Sequence, residues 1–141
     1  MERRATHRAV ERNPVRVAGI GFRSGAAMAS LQDALLRAIE ASGGAPVQAL
    51  ATESAKSRAP VFRELAQALA LPGLGVRTDD MAQMMTPTQS QRIIDAFGTG
   101  SLCEAAALVA AGPDAGLVAV RVVSGDGMAT AAIADDVKEN E

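Results

Sequence analysis

The chain contains neither tryptophan nor tyrosine, and its aromatic rings are confined to Phe22, Phe62 and Phe97. Recognition of single-stranded nucleic acid by stacking bases on aromatic platforms needs more rings than these. Cysteine and histidine are scarcer still, with Cys103 and His7 the sole examples. A single cysteine excludes an internal disulfide and agrees with a reducing, cytoplasmic setting. One residue of each type cannot compose a structural zinc set or a His-rich catalytic one. A Cys–His nucleophile pair would have to recruit His7 from a charged N-terminal stretch, so Cys103 reads as a small buried thiol.

Long apolar runs are missing too. No stretch approaches the roughly 20 apolar residues that span a bilayer, and the arginines near the start are not followed by the apolar core of a secretory signal. Fourteen basic residues against sixteen acidic ones give a net charge of −2. That balance supplies no excess for a sequence-independent phosphate-backbone binder. Neither nucleic acid nor membrane is therefore expected as a partner, and neither a metal nor a cofactor. Residues 1–13, with Arg3, Arg4, Arg8 and Arg12, read as a flexible basic arm, a polyanion-binding arm being the alternative. Residues 135–141 read as an acidic flexible tail.

What remains is rich in small apolar residues. The hydrophobic set makes up 48% of 141 residues, enough for one domain with its own core over residues 14–134. That core is built from Ala, Val, Leu, Ile and Met, which let helices approach a sheet closely. Residues 15–21 alternate and run into glycine, as a first strand entering a loop should. Met28, Leu31, Leu35 and Ala38-Ile39 recur at helical spacing, and Gly43-Gly44 ends that helix. Residues 47–51 read as a short second strand, and Pro60 suits the first turn of the next helix. Residues 74–77 read as a third strand, and Thr78 as the cap of a short helix begun by Asp79 and Asp80. A further short helix is expected over 88–97. The spacing Ser101-Leu102-Cys103-Glu104 predicts a capping box in which Ser101 and Glu104 satisfy each other's N–H groups. Residues 117–123 and 128–134 flank Ser124-Gly125-Asp126-Gly127 and predict a C-terminal hairpin. Strand–helix alternation closed by a hairpin predicts a single three-layer α/β/α domain with a mixed sheet of about five strands.

Three loops could carry chemistry. Gly19-Ile20-Gly21-Phe22-Arg23-Ser24-Gly25 joins the first strand to the first helix; its glycines allow a concavity of N–H groups, and Arg23 suits a carboxylate. It lacks the third glycine of a dinucleotide fingerprint and the Gly-Lys-Ser/Thr of a phosphate loop, so a plain tight turn stands beside the anion site. The second loop, from Thr52 through Ser54 and Lys56 to Arg58, also lies where a strand ends, the usual ligand position in open α/β sheets. A solvated polar loop explains it equally. The third, Gly98-Thr99-Gly100-Ser101-Leu102-Cys103-Glu104, offers a helix start beneath glycines. Met81, Met84 and Met85 suit core filling or a pliable lid, with apolar ligand contact or a docking patch as alternatives. Asp79, Asp80 and Asp126 could serve as acid/base carboxylates, but helix starts and a turn account for them.

Taken in order, these blocks resemble the CobE/CbiG C-terminal domain family of cobalamin biosynthesis. The resemblance rests on Val17 through Gly25, on Lys56 with Pro60, on Gly98 through Ala107, and on Ser124 with Ala129 through Ala134. It implies that Gly19, Gly21, Arg23 and Gly25 form the family's first glycine loop, Lys56 the lysine of its second, and Ser101, Glu104 and Ala105 its helix-start motif. Ala26 departs from the family's hydroxyl residue after the loop glycine, and Val123 from its basic residue before the hairpin serine. Longer members open the ring-A lactone of a cobalt-precorrin and release acetaldehyde; this chain looks like the stand-alone form. The resemblance thus implies binding or carriage of a corrin-ring intermediate, with a lactone hydrolase and a docking module for other pathway enzymes as alternatives. The ligand-binding residues it and the loops suggest are Gly19, Gly21, Phe22, Arg23, Ser24, Gly25, Thr52, Ser54, Lys56, Arg58, Gly100, Ser101, Leu102 and Glu104.

Overall fold

The computed structural model describes residues 16–82 and 84–136. The expected basic arm and the end of the acidic tail lie outside the described residues. Strand β1 (Arg16–Phe22) leads into helix α1 (Met28–Ala41), and β2 (Ala49–Glu53) follows. A 3₁₀ turn (Lys56–Arg58) precedes α2 (Pro60–Leu69), β3 (Gly73–Val76) and the single-turn α3 (Thr78–Met81). Then come α4 (Gln91–Phe97), α5 (Leu102–Ala111), β4 (Gly116–Val123) and β5 (Ala129–Asp135).

Among the described residues the strands form one five-stranded sheet in the order β3-β2-β1-β5-β4. Strands β1, β2 and β3 are parallel neighbours, whereas β5 runs antiparallel to both β1 and β4. The mixed sheet has helices on both faces. Because side chains alternate along a strand, β1 splits between two cores. Ala18 and Ile20 join Leu31, Leu35, Phe62 and Leu65 beneath α1 and α2. Val17 joins Ala105, Ala106, Ala107 and Met81 beneath α5.

Helix α5 comes unusually close to β1. A Cβ built at Gly19 would collide with the Cys103 carbonyl oxygen and stand 2.8 Å from the Ala107 nitrogen. Glycine is required there by helix-on-strand packing, so Gly19 shapes the core, not a ligand loop.

Two local expectations are corrected. Thr78 is the first residue of α3 and Arg77 its cap, with no side-chain cap bond. The Thr78 hydroxyl donates instead to Glu53 Oε2 at 3.4 Å. Asp135 belongs to β5 and not to a tail: it pairs with Arg16 across the β1–β5 register, at 2.9 Å, and is buried.

Candidate functional site

Strand β1 leaves the sheet at Phe22, opposite Ala129 at the start of β5. Antiparallel pairing therefore brings the loop after β1 and the β4–β5 hairpin together. The Arg23 backbone N–H donates to the Met128 carbonyl at 2.9 Å, and its Nε to the Gly127 carbonyl at 3.3 Å.

Lys56 arrives from the other side. Glu53, buried at the end of β2, accepts the N–H groups of Ala55 and Lys56 at 3.0 and 3.3 Å, which shapes the turn. Lys56 Nζ then donates to the Phe22 carbonyl at 2.9 Å and lies 4.9 Å from the centre of the Phe22 ring. An ammonium has three donors, so the carbonyl leaves others for a bound acceptor. The Phe22 ring stacks on Phe62 with centroids 6.5 Å apart, which fixes the aromatic surface beneath the charge.

The start of α5 forms the third side. Ser101 Oγ accepts the Glu104 N–H at 3.4 Å, half of the expected box. The other half is absent. The Glu104 carboxylate accepts instead from Thr88 N and Thr88 Oγ1, both at 3.0 Å, and from Arg121 N at 2.8 Å. A fully buried carboxylate needs several donors, and three donors from two converging segments supply more than one capping amide can.

These pieces surround a cleft of about 440 Å³, within the range of small-molecule sites. Among the described residues that line it, the charged ones are Arg23, Lys56, Arg92 and Arg121, with no carboxylate among them. The whole chain carries −2, so this is a local concentration of positive charge. Phe22, Ile93, Phe97, Leu102 and Met128 supply apolar surface, and Ser24, Ser90, Ser101 and Thr130 supply hydroxyls.

Of the residues expected from the sequence, Gly21, Phe22, Arg23, Ser24, Lys56, Gly100, Ser101 and Leu102 line this cleft. The others stand apart from it, each for a physical reason. Gly19 lies under α5. Gly25 adopts φ +85 in the turn before α1. Thr52 is buried and its hydroxyl donates to the Ile20 carbonyl at 2.7 Å. Ser54 receives the Ser57 hydroxyl on its carbonyl at 2.6 Å, closing the turn. Arg58 is exposed at the end of the 3₁₀ turn, and Glu104 is sealed behind Thr88 and Arg121.

The sequence reading missed Arg92, Ile93, Phe97, Arg121, Met128 and Thr130. Arg121 did carry a signal, as the lone charge within the apolar run of β4. The others come from a helix and a hairpin far along the chain, and of these only Thr130 lies in a block that carries the family resemblance.

Two further groups lie nearby. Burial pushes the Cys103 thiol above its ordinary pKa, which suits a packed thiol and not a nucleophile. Asp126 accepts from Ser124 Oγ at 2.6 Å, Ser30 Oγ at 2.5 Å and Met128 N at 3.0 Å, tying the hairpin to α1. Those donors, the serines first, lower its pKa to about 2. Among the described residues no group of three His, Cys, Asp or Glu side chains converges as a metal site would require.

Comparison with known proteins agrees with this architecture. The family model described as cobalamin synthesis G C-terminus matches residues 16–134. The crystal structure of CobE, a protein from the cobalamin (vitamin B12) biosynthetic pathway, superposes with a TM-score of 0.76 at 25% identity, covering 86% of this chain and 90% of that one. The cobalamin biosynthesis protein chiG from Agrobacterium tumefaciens str. C58 is 39% identical, with a TM-score of 0.66 over 85% of this chain and 97% of that one. A putative cobalamin biosynthesis protein G homolog from Sulfolobus solfataricus shares the fold, at 18% identity and a TM-score of 0.62, over 88% of this chain and 37% of that one. No curated protein sequence gives a significant match. The chain belongs to the cobalamin synthesis G C-terminal family, a family of cobalamin biosynthesis proteins.

Proposed function

We propose that this protein binds a corrin-ring intermediate of the precorrin or hydrogenobyrinic-acid type in the cleft and carries it, leaving it chemically unchanged. The observation that supports this most is the lining itself: four cations, no carboxylate among the described residues, and a substantial apolar surface between them. A corrin precursor is an apolar macrocycle bordered by acetate and propionate carboxylates. Arginine meets a carboxylate bidentately, and lysine meets it as a point charge. Phe22, Leu102 and Met128 would take the ring while the cations take its rim.

Carriage is favoured over hydrolysis by the same residues. Opening a lactone calls for a group that takes a proton from water, and no carboxylate or imidazole stands among the described lining residues. The docking-module reading loses its main feature. Met81 is fully buried in the second core and Met84 is half-buried, so only Met85 of the three methionines is freely exposed. No single helix among the described residues is long and apolar enough to cross a membrane. Action in the cytoplasm, where soluble pathway intermediates would be met, is part of the same proposal.

An absorption titration tests it. Hydrogenobyrinic acid added to the purified protein should change its spectrum and saturate at micromolar concentrations. The Arg23→Ala/Lys56→Ala double variant should bind about 100-fold more weakly or worse, since charged hydrogen bonds contribute about 1.5–3 kcal/mol each. Absence of any spectral change with the wild-type protein contradicts the binding reading. Acetaldehyde release from a lactone-bearing precursor would replace carriage with catalysis.

A further inference from the structure

The segment between Ser90 and Gly100 is an excursion with a closed neck. The Ser90 N–H donates to the Gly100 carbonyl at 2.9 Å, so the two ends meet. The neck is secured from below by Glu104, whose buried carboxylate takes both Thr88 donors, and by Thr99 Oγ1, which donates to the Met84 carbonyl at 3.1 Å. It has no room to spare. A Cβ at Gly100 would stand 2.5 Å from the Thr88 carbonyl oxygen.

The helix held out on this neck is different in kind. None of the residues of α4 is buried, although Ile93, Ile94 and Phe97 lie on it. Ile93 and Phe97, four residues apart and so on one helical face, both line the cleft, as does Arg92. In the free protein that apolar face is only half-buried and belongs to neither of the two cores. What it faces is the cleft. Gly98, at φ +80, ends the helix in a left-handed conformation that glycine adopts freely, next to the neck.

We infer that α4 is a ligand-ordered clamp: a bound polycarboxylate macrocycle completes the packing of Ile93 and Phe97 from one side, Phe22 supports the ring from the other, and Arg92 takes a rim carboxylate. The inference rests on the proposed binding of a corrin intermediate and adds the element that retains it. A pinned neck lets the helix settle onto a ligand without disturbing the sheet. Elements that close over ligands are drawn from the least stably packed parts of a fold.

Hydrogen exchange and binding, measured on the same full-length protein with hydrogenobyrinic acid as probe, test the clamp. Without the probe, amides 92–97 should exchange far faster than those of α5. With it, they should slow by about 10-fold or more, as local opening becomes coupled to ligand release. The Ile93→Ala/Phe97→Ala variant should bind about 10-fold more weakly, with Tm within about 2 °C of wild type because neither side chain is buried. Phe97→Leu, which keeps apolar bulk, should recover most of the affinity. If the wild-type spectrum shifts and saturates while either the protection or the loss of affinity is missing, the clamp is overturned and the binding reading stands. Slow exchange of α4 in the free protein, comparable with α5, overturns it as well. If the wild-type protein gives no spectral shift, both fall together.

Discussion

Helices α4 and α5 are separated by only a few residues, yet six of the ten residues of α5 are buried and none of the seven of α4 is. Apolar content explains part of the contrast, since nine of the ten residues of α5 are apolar against four of the seven of α4, but side-chain size runs the other way. Helix α4 carries Ile93, Ile94 and Phe97, each far larger than the alanines that dominate α5. The rest of the difference lies in what each helix meets. Strand β1 presents Gly19 and Gly21 to α5, and the alanines 105–107 fit against that flattened surface at close range. Helix α4 meets a cleft. Burial follows complementary shape on the opposing surface as well as the hydrophobicity of the helix itself. One helix thereby becomes scaffold, and its neighbour keeps an incompletely covered face.

Substitutions can break this contrast from either side. The largest effect is expected at Gly19→Ala, because the added methyl runs into the backbone of Cys103 and Ala107, which cannot rotate away. Overpacking of about 3 kcal/mol or more should lower Tm on the order of 10 °C, read by thermal unfolding. A drop of only a degree or two would mean that α5 does not press on β1 as described.

Glu104→Ala comes next. It leaves the part-buried N–H groups of Thr88 and Arg121 without their acceptor, a loss of about 1–2 kcal/mol by denaturant midpoint. It should also release the neck of the α4 excursion, so amides 86–100 should exchange faster than the loss of global stability explains. Equal acceleration everywhere would show that Glu104 serves the core alone.

A smaller effect belongs to Asp126, held at about 2 against an ordinary 3.8. Between these values the unfolded chain binds more protons than the folded one. The stabilisation is therefore complete above about pH 4 and disappears as pH falls to about 2. The Tm gap between wild type and Asp126→Asn, measured from neutral pH downward, should close over that window. A gap that persists at pH 2 would assign the hairpin tether to other groups.

Phe97→Ala should be the mildest of all, shifting stability by less than about 0.5 kcal/mol. A large loss would place Phe97 in a core and erase the contrast between the helices.

Much of the frame was legible in the sequence because it rests on periodicity. The alternation in β1, the helical stripe from Met28 to Ile39, the proline opening α2 and the turn chemistry of the hairpin each report local geometry. The site was legible only in part. Arg23, Lys56 and Ser101 stand at strand ends and at a helix start, where loops generally converge. Polar side chains whose partners lie far along the chain were read wrongly or not at all. Glu104 has the spacing of a capping residue, and only the fold shows that Thr88 and the edge strand claim its oxygens. Thr52 looks like a loop hydroxyl until the neighbouring strand supplies the Ile20 carbonyl. Gly19 and Gly21 recur two apart in a strand, a spacing that puts both on one face. At Gly19 that spacing serves helix packing, whereas Gly21 opens onto the cleft.

Backbone amide chemical shifts recorded while hydrogenobyrinic acid is titrated in address the central claim most directly. The largest changes should fall on residues 21–24, 56, 90–102, 121 and 127–130, the segments that enclose the cationic cleft. Changes centred on the opposite groove around Asp80, Leu108 and Pro113, or no changes at all, would contradict it.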